Sequence, residues 1–519
     1  MKKQIITVIC FLFAFVTNAY QQEPTKVEDV IFLFETDVHG NLPNYAYLAY
    51  LADSLKASGK TVCILSGGDF SSGNCVTGIT KGEAAIRVMN KIPQYVAIVP
   101  GNHEWDYGFQ TLKRNDSLLT PEMICCNVFY RDSLLFKPYK IEPVGGKRIA
   151  FIGILTYETT SVACPKDFKV SKEYRILDGD ELAIQVQKCI DEVRHDSLAD
   201  YVFLLAHLGD NDSLPEKKGI SKKTTNLLKQ ISGVDAVLNG HDHENKNTVL
   251  YDKFNNKIPE LATEQSLEKI GMIRIFTDGT LSTELLPIDK VKGMSSTVKA
   301  TIDSIQNCYA YIKTPIGTVD FPLLAENIRV KETNLGDYVV DAILWAAKQT
   351  DSRVSMAIVN SGSIRKNICK GEVNFEQEYN AVPFANYICI VKLKGAMIES
   401  VLNQMVKSWP KENGGFPQVA GITFSIDTIG PKKAKEIMVR LPDGTWVPLD
   451  SNMEYYIATT DFIASGGDSV DMNIDINTDV IPLYTKLYMI DVVSMYYKIF
   501  GVMKNYEKPD NRINTNSKK

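Results

Sequence analysis

Histidine is scarce in this sequence of 519 residues, which contains only six. After the first 20 residues, no apolar run approaches the roughly 20 residues that a membrane-spanning helix requires. Positive charge is not in excess, because 57 basic residues stand against 62 acidic ones. This balance argues against a nucleic acid polymer as the partner. With 45% hydrophobic and 23% charged residues, the composition also excludes disordered, collagen-like and coiled-coil proteins.

The sequence has ten cysteines but no Cys-x-x-Cys motif. One of them, Cys10, lies in an apolar segment at the N-terminus, and the other nine occur at irregular spacings. Their pairing cannot be deduced from the sequence. We expect Cys63, Cys75 and the adjacent pair Cys125-Cys126 to be small buried apolar residues rather than metal ligands.

The N-terminus has the organisation of a secretory signal peptide. Met1–Gln4 is basic, Ile5–Val16 is apolar, and Thr17–Ala19 offers a small-residue cleavage site. We therefore predict a signal peptide at residues 1–19. We also predict an exported protein, periplasmic or at the cell surface, without a transmembrane segment after cleavage. The alternative is an uncleaved N-terminal anchor.

Several apolar runs in the first half end abruptly in a polar cluster. The runs are Val30–Phe34, Thr61–Leu65, Tyr95–Val99, Tyr201–Leu205 and Val234–Leu238. Short apolar runs bounded by turn-forming residues predict strands that are buried on both faces. Tyr45–Ala57 and Leu182–Val193 predict helices between them. Because ligands bind at the carboxyl ends of strands in open α/β sheets, we expect the polar clusters to meet in one crevice.

We expect two domains joined by a helix. An amphipathic helix is indicated by apolar residues three or four positions apart, namely Val298, Ile302, Ile305, Tyr309 and Ile312. The second half differs in content, with a helix near Asn334–Lys348 followed by strands rich in Tyr, Phe, Ile and Val. We therefore predict a first domain at 26–290, a linking helix at 291–315, a second domain at 316–505 and a flexible tail at 506–519.

The polar clusters of the first half contain seven potential metal ligands, which are Asp37, His39, Asp69, Asn102, His207, His241 and His243. In extended backbone, side chains two positions apart project to the same side, so one ion could bind both Asp37 and His39. The carboxylate of Asp69 could bridge two cations. These donors are too many for one tetrahedral zinc ion. They suit two adjacent divalent ions, Zn or Mn, with Co or Mg as alternatives, rather than Ca. Outside the clusters, we expect His195 at the surface.

The motifs resemble those of the calcineurin-like metallophosphoesterases in type and in order. They are Asp37-x-His39, Gly68-Asp69, Gly101-Asn102-His103-Glu104, His207-Leu208-Gly209 and Gly240-His241-x-His243. Motifs of the second half narrow the resemblance to the 5′-nucleotidase family, over about Val30 to Asp471. The resemblance implies an α/β (α+β) two-domain fold. Its N-terminal metallophosphoesterase domain would be a four-layer α/β/β/α sandwich, and its C-terminal domain a mixed α/β substrate-binding domain.

The resemblance also implies how the metal ligands divide. One ion would be held by Asp37, His39, Asp69 and His243, and the other by Asp69, Asn102, His207 and His241. His103 directly follows a ligand, and Asp106 lies three residues further on. A histidine oriented by a carboxylate is suited to act as a general acid or to stabilise the transition state, and the family uses the corresponding residues as a catalytic dyad. The alternative for Asp106 is a helix N-cap.

Two arginines of the second half are candidates for binding phosphate. Asn360 and Arg365 end an apolar strand in a glycine-containing loop, where backbone N–H groups and a guanidinium suit a phosphate. Arg329 matches a second phosphate-binding arginine of the family. The family loop usually reads Asn-Gly-Gly-Gly-Ile-Arg, whereas this chain has Asn-Ser-Gly-Ser-Ile-Arg at 360–365. Side chains therefore replace glycine where the backbone would approach the ligand.

The remaining candidates concern the base and the sugar. Phe384 and Phe462 match the two aromatic residues between which the family stacks a nucleobase. Asp468 matches the carboxylate that contacts the base or the ribose, and Asn386 is a further candidate for substrate binding. The family's Pro-Phe-Gly-Asn is Pro-Phe-Ala-Asn here, at 383–386.

These expectations combine in a secreted dinuclear metallophosphohydrolase that removes the 5′-phosphate from nucleoside monophosphates such as 5′-AMP. The same machinery would also suit a UDP-sugar or dinucleotide pyrophosphohydrolase, or a 2′,3′-cyclic-nucleotide phosphodiesterase. A more distant alternative is a non-catalytic nucleoside-binding surface protein.

Overall fold

The structure is a computed structural model that describes residues 28–163, 167–168, 171–195, 197–210, 224–427, 433–441, 443–475, 479–482, 487–502 and 504–515. The predicted signal peptide, residues 1–19, lies outside these ranges. Among the helices of the described ranges, none combines the length and the apolar character needed to cross a bilayer.

Two sheets form the centre of the first domain, each with six strands among the described residues. The first sheet has the spatial order β15 (Leu281–Pro287), β14 (Lys269–Phe276), β1 (Glu28–Glu35), β2 (Thr61–Ser66), β3 (Tyr95–Ile98) and β4 (Glu122–Met123). The second has the order β12 (Lys246–Tyr251), β13 (Lys257–Ala262), β11 (Ala236–Asn239), β10 (Tyr201–His207), β8 (Lys147–Leu155) and β7 (Tyr139–Val144). Strands β1 to β4 run parallel, as do β8, β10, β11 and β13.

The five predicted strands, which are β1, β2, β3, β10 and β11, are buried over most of their length, whereas the edge strand β12 is largely exposed. Alternate side chains of β1 point to opposite layers. Phe32 packs on Phe151 and Phe203 of the second sheet, whereas Leu33 packs towards helices. The helices on that side are α1 (Tyr45–Ala57), α3 (Glu83–Met89) and α8 (Ser296–Cys308). The outer face of the second sheet is covered by α6 (Gly179–His195) and α7 (Thr224–Leu228). The four-layer α/β/β/α sandwich is confirmed.

Shorter elements complete this half. They are α2 (Cys75–Ile79), α4 (Phe109–Leu118), α5 (Thr159–Val162) and a small sheet of β6 (Ser133–Leu134), β5 (Val128–Tyr130) and β9 (Tyr174–Ile176). Cys63, Cys75, Cys125 and Cys126 are buried with free thiols, as expected.

A mixed sheet lies at the centre of the second domain, with helices on both sides. Its order is β20 (Pro417–Ala420), β17 (Val354–Asn360), β24 (Glu454–Thr460), β19 (Ile388–Lys394) and β25 (Val480–Pro482). One face packs on α9 (Asn334–Thr350), α10 (Phe375–Ala381) and α13 (Met489–Phe500). The other packs on α11 (Gly395–Met405), α12 (Asp461–Ala464) and a sheet of β23 (Trp446–Pro448), β22 (Ala434–Arg440), β21 (Ile422–Ile426) and β26 (Ile513–Asn514). Strands β16 (Pro315–Val319) and β18 (Gly371–Asn374) form a separate pair. The predicted mixed α/β domain is confirmed.

The two domains contact each other beside the cleft described below. Helix α8 packs Val298 into the core of the first domain, and Ile312 beyond its end packs into that of the second. Cys75 of α2 belongs to the core of the second domain. Gly78 of the same helix lies so close to the hydroxyl of Tyr379 that no side chain would fit between them.

The end of the chain differs from our expectation of a flexible tail at 506–519. In its described part, β26 pairs in parallel with β21. Arg512 donates two hydrogen bonds to the carboxylate of Asp341, of 2.8 and 2.7 Å, and lies 3.6 Å from Asp337. The N–H of Ile513 donates to Glu332 at 2.7 Å. Buried carboxylates need a partner. The polar residues of the tail, whose composition suggested exposure to solvent, supply that partner instead.

Candidate active site

A cleft of about 450 Å³ runs between the two domains. All the predicted site residues line it except Asp37, His39 and His207, which lie just behind its wall. Strand ends position the metal-ligand candidates of the first domain. Asp37 and His39 follow β1, Asp69 follows β2, and His207 is the last residue of β10. The polar clusters therefore meet at one edge of the two sheets.

The backbone of this centre is not extended, so the extended arrangement that we expected for Asp37 and His39 was wrong. Asp37, His39, Asp69, His241 and His243 all have left-handed φ values, between 47° and 90°. Such values are uncommon outside glycine and concentrate at functional sites. The side chains still approach, because the two turns bring His39 Nε2 to 3.9 Å from Asp37 Oδ1.

Glycine is required where these turns approach each other. Gly68 precedes Asp69 and has a φ of +88°. A side chain there would meet the backbone nitrogen of Gly101 at 2.3 Å. The absence of a side chain at Gly68 thus allows the backbone after β2 to pack directly against the backbone after β3. This contact brings Asp69 next to Asn102.

Asp37 presents one oxygen to the centre without a hydrogen bond. Its Oδ2 accepts from the Thr36 hydroxyl at 2.7 Å and from the His241 N–H at 3.0 Å. Its Oδ1 is fully buried and has no hydrogen-bond partner among the described residues. The nearest groups are three imidazole nitrogens, His243 Nε2 at 3.4 Å, His39 Nε2 at 3.9 Å and His207 Nε2 at 4.0 Å. A buried anionic oxygen faced by nitrogen donors fits a cation.

The donor atoms form two adjacent groups. In the first, His39 Nε2 and His243 Nε2 lie 3.0 Å apart beside Asp37. In the second, Asn102 Oδ1 lies 3.2 Å from His207 Nε2 and 2.9 Å from His241 Nδ1.

Asp69 connects the two groups. Its Oδ2 lies 3.2 Å from His207 and 3.9 Å from His39. This set of carboxylate, amide and imidazole donors can hold divalent metal ions.

The two buried carboxylates of the centre act most strongly on His207. Burial alone would lower the pKa of His207, but the carboxylates of Asp69 and Asp37 outweigh it and raise that pKa to about 10. The Nδ1 of His207 faces the carbonyl oxygen of Gly67 at 2.7 Å. This contact turns Nε2 towards Asp69 and Asn102, the orientation that a metal-binding histidine adopts.

Two glutamates support the centre, and we had assigned no role to either. Glu104 accepts hydrogen bonds from the backbone N–H groups of Asp69, Phe70, Ser71 and Gly101, at 2.6 to 3.1 Å. Its place in the Gly-Asn-His-Glu motif could have suggested such a role.

Glu158 Oε2 lies 3.0 Å from His241 Nε2. It follows β8, whose apolar run Ile149–Leu155 ends in a polar cluster like the other strands. That pattern is the signal we overlooked. Because Glu158 contacts Nε2, the other ring nitrogen of His241 faces Asn102.

His103 and Asp106 form the predicted pair. The Nδ1 of His103 and the Oδ2 of Asp106 are 2.8 Å apart, and both side chains line the cleft. Burial alone would lower the pKa of His103, but the carboxylates of Asp106 and Asp69 raise it to about 9. The imidazole therefore holds a proton at neutral pH, as a general acid requires.

Two arginines face the cleft from the second domain. Neither Arg329 nor Arg365 forms a close ion pair with a described residue, although the carboxylates of Asp106 and Asp468 attract Arg365 from a greater distance. The enclosing walls and the positive charge of Arg329 lower the pKa of Arg365 to about 10. The guanidinium carbon of Arg365 lies 5.1 Å from the centre of the Phe384 ring, and the His103 ring stacks on the same phenylalanine at 6.1 Å. This corner of the cleft therefore suits an anion.

The other pocket candidates lie further along the cleft. Phe384, Asn386, Phe462 and Asp468 line it and are half-buried. Gly467 lies against the ring of Phe462, where a side chain would meet the ring at 2.4 Å. The amide nitrogen of Asn360 donates to Asp468 Oδ2 at 2.7 Å.

Residues 412–414 also line this part of the cleft. We had not selected them, although their Glu-Asn-Gly sequence is a turn signal. The backbone N–H of Gly362 donates to the carbonyl of Gly414 at 2.7 Å. This bond joins the turn to the loop that carries Asn360 and Arg365.

Residues 31–245 match the family model of the calcineurin-like phosphoesterases. Residues 315–473 match that of the 5′-nucleotidase C-terminal domain. The chain belongs to the 5′-nucleotidase family of metallophosphoesterases. Members of this family are hydrolases, and its two characteristic domains are the two walls of the cleft.

Named relatives of the 5′-nucleotidase family align with most of the chain. The trifunctional nucleotide phosphoesterase protein YfkN of Bacillus subtilis is 26% identical over 492 residues, which cover 85% of this chain but 32% of YfkN. This chain therefore spans about a third of that relative. Protein UshA of Yersinia enterocolitica is 24% identical, with 90% of both chains covered. The crystal structure of a 5′-nucleotidase precursor from Thermus thermophilus shares the fold, with a TM-score of 0.75 and 22% identity over 94% of this chain and 99% of that one.

Proposed function

We propose that this member of the 5′-nucleotidase family hydrolyses the 5′-phosphate ester of nucleoside monophosphates such as 5′-AMP. The products are a nucleoside and inorganic phosphate. The observation that carries the proposal is a single cleft that combines metal-ligand candidates, two arginines without a close ion pair to a described residue and two phenylalanines. These environments suit the phosphate and the base of one nucleotide. The names of two relatives support the same substrate class. They are YfkN and a 5′-nucleotidase of Vibrio cholerae.

The donor groups divide as the family resemblance implies. Asp37, His39, Asp69 and His243 would hold one divalent ion, and Asp69, Asn102, His207 and His241 the other. Zn or Mn suits these donors, with Co or Mg as alternatives. When bound, two such ions polarise the phosphoryl group and lower the pKa of the attacking water.

His103 would act on the leaving group. Asp106 holds the Nδ1 of His103, which leaves Nε2 to carry the proton that is transferred. That proton passes to the 5′-oxygen as its bond to phosphorus breaks, so the nucleoside leaves as an alcohol rather than an alkoxide. Asp106 keeps its charge and stabilises the imidazolium before the transfer.

Residues of the second domain would orient the substrate. Arg329 and Arg365 would bind the phosphate oxygens, since guanidinium groups match them in charge and geometry. Phe384 and Phe462 would stack on the base. Stacking tolerates different bases because each base has an aromatic face. Asn360, Asn386 and Asp468 would contact the sugar or the base through hydrogen bonds.

We also propose that the protein is exported. The sequence of residues 1–19 has the three parts of a signal peptide. Fractionation of cells that make the full chain, followed by N-terminal sequencing, tests this. A cytoplasmic protein that retains Met1 would contradict it.

The experiment for the activity combines metal removal with substrate profiling. The purified protein is treated with chelator, reloaded separately with Zn, Mn, Co or Mg, and assayed for phosphate release from 5′-AMP. We expect no turnover after chelation and restored turnover after reloading. Full activity without metal would overturn the mechanism.

The substrate panel distinguishes the related activities. UDP-glucose, diadenosine polyphosphate and 2′,3′-cyclic AMP are assayed under the same metal condition as 5′-AMP. We expect the highest kcat/KM for 5′-AMP. A higher kcat/KM for one of the other substrates would mean that hydrolysis of that substrate, rather than 5′-nucleotidase activity, is the main activity. Binding of nucleosides without hydrolysis of any of these substrates would indicate a non-catalytic binding protein.

A further inference from the structure

The serine at position 363 stands where the family loop usually has glycine. Ser363 lines the cleft, but its side chain is almost fully buried, with 1% of its surface exposed, and so offers little surface to a ligand. Its hydroxyl instead donates a hydrogen bond to the side-chain oxygen of Asn360. Asn360 is itself only 3% exposed. The substitution therefore adds a buried contact within the lining of the cleft.

This contact fixes which way the Asn360 amide faces. The ionised carboxylate of Asp468 can only accept hydrogen bonds, so the amide nitrogen must face it, as the 2.7 Å contact shows. The amide oxygen then faces Ser363, whose hydroxyl satisfies it. Without that hydroxyl, the oxygen would be buried without this donor, and the amide would lose the partner that opposes its rotation.

Asp468 depends on this arrangement because its own backbone is unusual. It has a left-handed φ of 49°, a conformation that persists only when its surroundings hold it. It also follows Gly467, which packs on the ring of Phe462. A fixed Asn360 amide thus holds the carboxylate of Asp468 in one position at the cleft.

We propose that Ser363 is a positioning residue for the sugar. Acting through Asn360, it fixes the carboxylate of Asp468 to accept a hydrogen bond from a ribose hydroxyl. The extent to which the cleft distinguishes ribonucleotides from nucleotides that lack the sugar hydroxyls therefore depends on Ser363. This inference rests on the proposed function and adds to it a preference for one substrate class. A site built to bind a hydroxyl discriminates against the analogue that lacks it, because the polar group of the site loses its partner.

The test compares 5′-AMP with 2′,3′-dideoxy-AMP, first in the wild-type protein and then in Ser363→Ala. We expect the wild type to favour 5′-AMP in kcat/KM. Loss of one buried hydrogen bond corresponds to about a tenfold change, so Ser363→Ala should reduce that preference by about tenfold. The change should appear in KM for 5′-AMP, with little change in kcat, because the sugar contact is distant from the reacting bond.

Ser361→Ala is the matched control. It removes a hydroxyl from the same loop, but Ser361 donates to the carbonyl oxygens of Asn413 and Gly414, at 3.2 and 3.1 Å, and not to Asn360. We expect a similar decrease in thermal stability and no change in the sugar preference. An equal loss of preference in both variants would overturn the inference, since loosening of the loop would then explain it.

A double-mutant cycle tests whether Ser363 acts through Asp468. In the Asp468→Ala background, Ser363→Ala should have almost no further effect on the sugar preference. A full tenfold effect in that background would overturn the proposed route, and so would a wild-type protein that does not distinguish the two nucleotides.

Calorimetry separates this inference from the proposed function. Binding of adenosine and 2′,3′-dideoxyadenosine to the wild type and to the variants requires no turnover. If no nucleotide is hydrolysed but the binding preference depends on Ser363, the proposed function fails and the inference stands. If 5′-AMP is hydrolysed but Ser363→Ala leaves the sugar preference unchanged in both assays, the inference fails and the proposed function stands.

Discussion

On the side of the cleft that the first domain contributes, several metal-ligand candidates are fully buried, whereas the wall from the second domain consists mainly of half-buried side chains, most of them on loops. Asp37, Asp69 and His207 have at most 1% of their surface exposed. Arg329, Phe384 and Phe462 are half-buried and face the cleft.

This difference matches what each wall has to do. Bond breaking needs donors fixed in position, because small displacements of catalytic groups are costly. Recognition of a base by stacking tolerates more variation. Substitutions on the first wall should therefore abolish turnover, and those on the second should mainly weaken binding.

The largest effect is expected for Asp69→Asn, which removes the charge shared by the two donor groups but keeps the shape. Metal ions contribute several kcal/mol to charge stabilisation, so kcat/KM for 5′-AMP should fall by about a thousandfold or more. Bound metal, measured by elemental analysis, should fall with it. Asp289→Asn, at an exposed position, is the control. Full metal content with full activity in Asp69→Asn would show that Asp69 is not a metal ligand.

His103→Ala should lower kcat by about a hundredfold or more, the usual contribution of a general acid, and leave bound metal unchanged. His195→Ala is the matched control, because His195 is the exposed last residue of α6. His39, Asp69 and His103 also lie close enough together to share an ion. Loss of metal in His103→Ala would therefore make His103 a ligand rather than the acid.

Glu158→Ala tests whether the contact with His241 supports metal binding. Removing such a partner of a ligating histidine typically lowers metal affinity by about 10- to 100-fold. Affinity is measured by competition with a graded series of chelators, which does not depend on turnover. Glu158→Gln keeps an acceptor and should restore part of the affinity. Equal affinities in the wild type and both variants would contradict this role.

Phe462→Ala should have the smallest effect, a rise in KM for 5′-AMP of about tenfold with kcat nearly unchanged, since one stacking contact contributes about 1–3 kcal/mol. Phosphate release from p-nitrophenyl phosphate, which has no nucleobase, should be unaffected. Phe254→Ala, at a position that is 70% exposed, is the control. An equal loss of activity with both substrates would mean that Phe462 stabilises the wall of the cleft and does not stack on the base.

The sequence was most informative for the first wall. Histidine and aspartate directly after apolar strands are rare in a packed core, so residues such as His207 and His241 could be selected without a structure. Their local geometry could not be predicted, because the left-handed turns of Asp37 and His39 depend on contacts between different strand ends. Glu158 was overlooked because a single glutamate after a strand is not distinctive by itself.

For the second wall, residue types alone were a much weaker basis for predicting the site residues. Arginine and phenylalanine occur throughout proteins, and only the family resemblance distinguished Arg365 and Phe462. The contact between Ser363 and Asn360 could not be predicted, since it depends on the conformation of a loop held by the turn at 412–414. The packing of the tail was missed because its partners in α9 lie about 170 residues earlier in the chain.

The pairing of β26 has a consequence for the order in which the protein matures. The last strand of the first domain, β15, ends at Pro287, so that domain can fold while the rest of the chain is still emerging, as N-terminal domains generally do. The second domain receives Arg512, the cation beside Asp337 and Asp341, only after the rest of that domain has been synthesised. The hydrolytic half is therefore expected to mature before the half that recognises the nucleotide.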